Sequence, residues 1–224
     1  MDFFWLFAAF IFVLCGVVAL ALYLEKRHVA AIRAIAQELG FQYVGSVDQA
    51  QPQNAFPLSI WQFALFSKGS RRHFRHVIQR NCGIATVFVG EYFYSTGTRK
   101  RRRSHLQTVV VVSSPKLRLP EFSLVPEKLF HKVGRLFSYQ DINFASHPDF
   151  SRKYLLRGTN ETDVQSCFHE GVLEFFQRQP LVSVEGADSV FVYYRDDAVV
   201  QPRDWYQVID SALEAYEQFY HACG

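Results

Sequence analysis

The chain has 224 residues, 49% hydrophobic and 20% charged, which excludes an intrinsically disordered protein and leaves material for a sizeable core. A formal charge of only +3 implies no polyanionic partner by itself, although residues 68–105 carry ten Lys/Arg against one acid, Glu91. Cys15, Cys82, Cys167 and Cys223 form no CxxC pair and no metal-ligand spacing; they read as free thiols of a reducing compartment.

Residues 3–24 contain no charge, no proline and one glycine, Gly16. As a helix rising about 1.5 Å per residue, this run covers about 33 Å, enough for a hydrocarbon core of about 30 Å. Phe3, Phe4 and Trp5 at one end and Tyr23 at the other fit interfacial aromatic belts. Lys26, Arg27 and Arg33 follow the run, and no Lys or Arg precedes it, so the positive-inside rule predicts a cytoplasmic C-terminal part. The expected organisation is a single-pass anchor in the inner (plasma) membrane, residues 1–25, and a cytoplasmic α+β domain, residues 26–224. A cleaved signal peptide is disfavoured because the segment before the apolar run lacks a basic residue. On the cytoplasmic side the sequon at Asn160 has no meaning.

Ile32, Ile35, Ala36 and Leu39 continue the helix beyond the membrane, with Gly40 as its stop. Residues 41–44 alternate as a short strand, 45–55 form a polar loop, and 56–66 give a short helix capping the core. Residues 73–80, 84–93 and 105–112 predict three strands of an antiparallel meander, rich in β-branched and aromatic residues. Pro115, Pro120 and Pro126 mark a connection, followed by a helix over 127–136. A strand over 153–157 precedes helices over 159–168 and 171–178, and 181–185 and 190–194 pair as a hairpin. Trp205, Val208, Ile209, Ala212, Leu213 and Tyr216 place one apolar stripe on a final helix, residues 204–220. About seven mostly antiparallel strands with packed helices give an α+β fold; a PH-like barrel with inserted helices is the alternative.

Some stretches resemble known sequences. They are Tyr94-Ser95-Thr96-Gly97, Ser104-His105-Leu106-Gln107-Thr108-Val109, residues 144–151 (FASHPDFS) and residues 152–158 (RKYLLRG). Together they resemble a group of membrane-anchored bacterial proteins of unknown function. The resemblance spans most of the chain and implies a bacterial source and a tethered domain, without catalytic residues to carry over.

The candidate site is the basic run Arg99, Lys100, Arg101, Arg102 and Arg103 at a hairpin tip, with Arg71, Arg72 and Arg75 on the neighbouring strand. Such a cluster beside a bilayer attracts anionic headgroups, by about 1 kcal/mol per residue. An acidic protein partner is the second occupant. Nucleic acid is disfavoured, since stacking needs exposed aromatics and Tyr92, Phe93 and Tyr94 must partly face the core. His73, His76 and His105 do not predict a metal site, because i, i+3 spacing on a strand sends side chains to different faces. Asp141, Ser146, His147, Asp149 and Arg152 hold catalytic residue types, but adjacency in sequence is not a triad. Without GxSxG, HExxH or a phosphate loop, no catalytic residue, metal or cofactor is assigned. The expected function is a non-enzymatic interaction module; the alternative is an anchored enzyme acting on a lipid or envelope substrate.

Overall fold

The computed structural model describes residues 2–48, 56–98, 100–128 and 141–223. Helix α1 (Asp2–Glu38) is one uninterrupted rod of 37 residues. It stops where Gly40 takes φ +71° and the Phe41 N–H reaches back to the Ala36 carbonyl, 2.7 Å. Every residue from 3 to 24 is exposed, including Phe4, Trp5, Phe12 and Leu22. A helix apolar all round and touching none of its own chain has lipid as its solvent, so the N-terminal helix anchors the protein in a membrane. One turn apart, Ile32 and Ala36 are buried, which docks the far end of the same rod onto the domain.

The domain is a nine-stranded antiparallel sheet, confirming the α+β reading. Its strands are β1 (Gln42–Asp48), β2 (Ser70–Asn81), β3 (Thr86–Thr96), β4 (Arg103–Ser113), β5 (Leu119–Pro126), β6 (Asp141–Ile142), β7 (Tyr154–Gly158), β8 (Ser183–Asp188) and β9 (Val190–Tyr194). The order β1-β2-β3-β4-β9-β8-β5-β7-β6 is an open sheet, not the PH-like barrel held as an alternative. The meander β2–β3–β4 is as expected, and the expected hairpin of residues 181–185 and 190–194 is β8–β9, turning at Asp188-Ser189. Asp188 accepts the left-handed turn conformation, φ +50°.

On one face lie the end of α1 and helices α3 (Pro148–Lys153), α4 (Glu161–Cys167), α5 (Glu170–Arg178) and α6 (Trp205–Cys223). The Asn160 side chain caps α4 by accepting from two backbone N–H groups, those of Thr162 and Asp163. Short α3 starts after His147, which makes no side-chain cap. Alternation along β3 sends Val87 and Val89 to this face and Phe88, Tyr92 and Tyr94 to the other.

The opposite face of β1–β4 is closed by a 3-10 turn (Leu58–Gln62) and helix α2 (Ala64–Ser67), whose Ile60, Trp61, Phe63 and Phe66 pack on Phe74, Phe88 and Tyr92. A fully buried carboxylate latches this cover to the sheet. Glu185 on β8 accepts from the Leu65 N–H at 3.0 Å and from the Tyr194 hydroxyl at 2.7 Å.

Two expectations fail. The prolines of residues 115–126 do not make a bare connection, because β5 runs from Leu119 to Pro126 between β8 and β7. A register shift between Leu119 and Phe122 absorbs Pro120, which cannot donate to a ladder. Phe122 then lies over Gly186, where a Cβ would collide with its ring. The second concerns the thiols. Cys167 and Cys223 form a disulfide joining the ends of α4 and α6, Cα–Cα 5.9 Å, while Cys15 and Cys82 stay free. Fifty-six residues separate them, so spacing gave no signal. The helix expected over 127–136 lies outside the described residues beyond 128, as do residues 49–55 of the polar loop.

Candidate functional site

The anchor and the basic hairpin leave the domain from the same end. Along β2, Arg75 meets Glu25 of α1 at 2.9 Å and Arg80 reaches the Leu39 carbonyl at 2.9 Å. Between those two levels the helix advances about 21 Å and the bulged strand about 13 Å, both in the same sense, so the two share a general direction. Moving from Leu39 to Glu25 toward the membrane span is therefore moving from Arg80 to Arg75 and on to Ser70. Ser70 pairs with Ser95, and Thr96 with Arg103. The β3–β4 tip projects beyond them.

The tip is built to be stiff at its base. Gly97 takes φ +87° where a Cβ would strike the Arg101 carbonyl, and the Arg101 N–H closes a turn onto Thr98 O, 2.9 Å. Below it, Thr96 Oγ1 lies 2.8 Å from His105 Nε2, and His105 Nδ1 lies 2.6 Å from Asp197 Oδ1. Tyr94 stacks on the imidazole at 4.5 Å. The order hydroxyl–imidazole–carboxylate is that of a nucleophile relay. Here each member is tied to structure: Thr96 sits in the β3–β4 ladder, and the loop carrying Asp197 is stitched to β4. Those stitches are Asp197 N–H to Gln107 Oε1, 3.1 Å, and Val200 N–H to Thr108 Oγ1, 2.9 Å. The relay braces the hairpin.

Of the predicted residues, Lys100, Arg101, Arg102 and Arg103 are exposed at this end; Arg99 lies outside the described residues. Arg103 Nη2 is 4.0 Å from Asp197. Arg71 is exposed at the start of β2, two strands from Arg103. Arg72 and Arg75 face structural tasks instead: Arg72 donates to the Phe66 carbonyl at 2.9 Å, and Arg75 is held by Glu25. Asp141, Ser146, His147, Asp149 and Arg152 split into local contacts, Asp141 with Arg157, Ser146 with His147, and Asp149 with Arg152.

The three histidines considered for a metal separate. His73 contacts the Arg71 carbonyl and stacks near Phe93, and His105 belongs to the brace. His76 instead joins His28 and Glu91 under the domain-side turn of α1. Sequence reasoning missed both partners, one in the helix extension and the other the lone acid of a basic stretch. The signals were present: Glu25 and His28 share a helix face, and Glu91 has the parity of Val87 and Val89.

An open antiparallel sheet with its longer helices on one face and an apolar N-terminal rod can be compared with solved structures. A mycobacterial protein shares this fold. It is the crystal structure of the trehalose monomycolate transport factor A, TtfA, with a TM-score of 0.60 over 87% of this chain and 93% of that one. At 13% identity, the likeness to TtfA is one of fold. No family model and no curated protein matches the chain.

Proposed function

We propose that the protein is a single-pass, membrane-tethered interaction module of a bacterial inner membrane, whose cytoplasmic domain orients on anionic headgroups through the hairpin 99–103. The observation that carries this reading is the shared exit of the span and the basic tip from one end of the domain. Each cationic side chain near such a surface contributes about 1 kcal/mol before salt screening. Because α1 already holds the domain at the bilayer, that energy sets its tilt rather than recruiting it. The neighbour of like fold is named a transport factor, and a binding role here accords with that name.

The test uses the full chain in nanodiscs, with Cys15 and Cys82 replaced and an environment-sensitive fluorophore on Thr98→Cys. We expect a blue shift in phosphatidylglycerol discs only, reversed by salt and abolished when residues 99–103 become Gln. The same spectrum in neutral and anionic discs would end the lipid reading and leave an acidic protein partner.

Lys26, Arg27 and Arg33 favour the cytoplasmic side, whereas a disulfide such as Cys167–Cys223 persists best in an oxidising compartment. Cys82, exposed in the β2–β3 turn, decides between them. On the proposed topology a membrane-impermeant maleimide labels it only after cells are lysed. Labelling of intact spheroplasts would place the domain outside.

A further inference from the structure

We propose that His28, His76 and Glu91, with Glu25 as a fourth donor, bind one divalent transition-metal ion of the Zn2+ class at the joint between the anchor helix and the sheet. This inference is independent of the lipid reading. The donor atoms of His28, His76 and Glu91 all lie within 4.8 Å of one another, and His28 Nε2 is 2.7 Å from Glu91 Oε1. A tetrahedral ion with bonds near 2.0–2.1 Å wants donors about 3.3 Å apart, so side-chain rotation closes the remaining gap. Glu25, one turn before His28 on the same helix face, has Oε1 3.1 Å from His76 Nε2.

The surroundings are those of a ligand set. Glu91 is 2% exposed and His76 7%, whereas the His28 side chain is 29% exposed and leaves a way in. A buried carboxylate ion is paired or metal-bound; among the described residues Glu91 meets the His28 imidazole, while the Arg75 guanidinium is engaged by Glu25. Tyr43 Oη lies 3.2 Å from His76 Nδ1. If that nitrogen carries the proton and donates to the tyrosine oxygen, Nε2 presents its lone pair to the joint. The backbone is bent to deliver it: a bulge between Arg75 and Ile78 holds His76 at φ +53°, and Ile78 beyond it faces the helix side. Two imidazoles with carboxylate select Zn2+, Co2+ or Ni2+ over Ca2+ or Mg2+. The ion joins donors from α1, β2 and β3, so its occupancy fixes how the anchor meets the domain.

The rival explanation of the same contacts is a protonated His28 paired with Glu91, without metal. The untagged full chain in detergent micelles, stripped with EDTA, separates the two. Calorimetric titration with Zn2+ is expected to give one ion per chain, and Co2+ should produce visible d–d bands. Glu91→Gln, which keeps the shape and hydrogen bond to His28, and His76→Gln should each weaken Zn2+ at least tenfold and remove the bands. Gln at residues 99–103 should leave Zn2+ binding unchanged, whatever the lipid experiment gives. No stoichiometric uptake by the wild-type chain, or uptake unaltered in Glu91→Gln, would overturn the proposal in favour of the ion pair.

Discussion

Glu185→Ala lowers the unfolding free energy by about 3–5 kcal/mol, the cost of removing one partner from a buried charged network. The carboxylate is about 1% exposed and accepts from Leu65 N–H and Tyr194 O–H, with Lys68, itself 8% exposed, acting on it through space. Alanine leaves those two donors without their acceptor, and it detaches the aromatic cover formed by the 3-10 turn and α2. Guanidinium unfolding in micelles, followed by tryptophan fluorescence, reads the loss; Trp61 in the cover reports it locally. Burial, the largest influence, pushes the Glu185 carboxyl above its ordinary value, against the opposing pull of Lys68 and the hydrogen bonds. A carboxyl raised in the folded state binds its proton more tightly there than in the unfolded chain. Its stabilising contribution is therefore complete below the unfolded value near 4.5 and is lost as pH rises through the folded value. Glu185→Gln should remove that slope while keeping an acceptor for Leu65, and cost less than alanine. An unchanged pH slope in the Gln variant would mean that Glu185 is not its source.

Much of this fold was legible because the relevant signals are local. The charge-free run of residues 3–24 gives the anchor, the β-branched and aromatic alternation of β2, β3 and β4 gives the meander, and the stripe from Trp205 to Tyr216 gives α6. What was hidden depends on partners distant in sequence. Pro120 and Pro126 read as breakers because the bulge between Leu119 and Phe122 that accommodates Pro120 exists only by pairing with the distant strand β8. Cys167 and Cys223 carry no spacing signal and meet only because α4 and α6 pack on β5. The basic run was found as a charge block, but its place beside the anchor follows from the shared direction of α1 and β2. His76 was placed by strand parity, and the bulge with its positive φ overrides the alternation that parity assumes.

Phe219→Ala is expected to cost about 3–5 kcal/mol, the range for emptying a buried aromatic site. Phe219 is fully buried on α6, and its ring meets Phe122 at 5.2 Å, Phe168 at 5.2 Å, Phe191 at 5.6 Å and Phe176 at 6.0 Å. Those four rings come from β5, the end of α4, β9 and α5, so a single side chain ties three helices to two central strands. Rigid rings on every side cannot collapse into the space, which keeps the cavity open and the cost toward the upper end. One turn later on the same helix stands Cys223, whose bond to Cys167 fastens α6 beside the same cluster. In the alanine variant that bond carries more of the docking of the C-terminal end of α6, so adding reductant should lower its thermal midpoint further than it lowers the wild type's. Phe219→Leu, which refills most of the volume, should recover more than half of the loss. A shift below about 1 kcal/mol for the alanine variant, far under the usual cost of such a cavity, would show that α6 does not pack on the sheet through this ring.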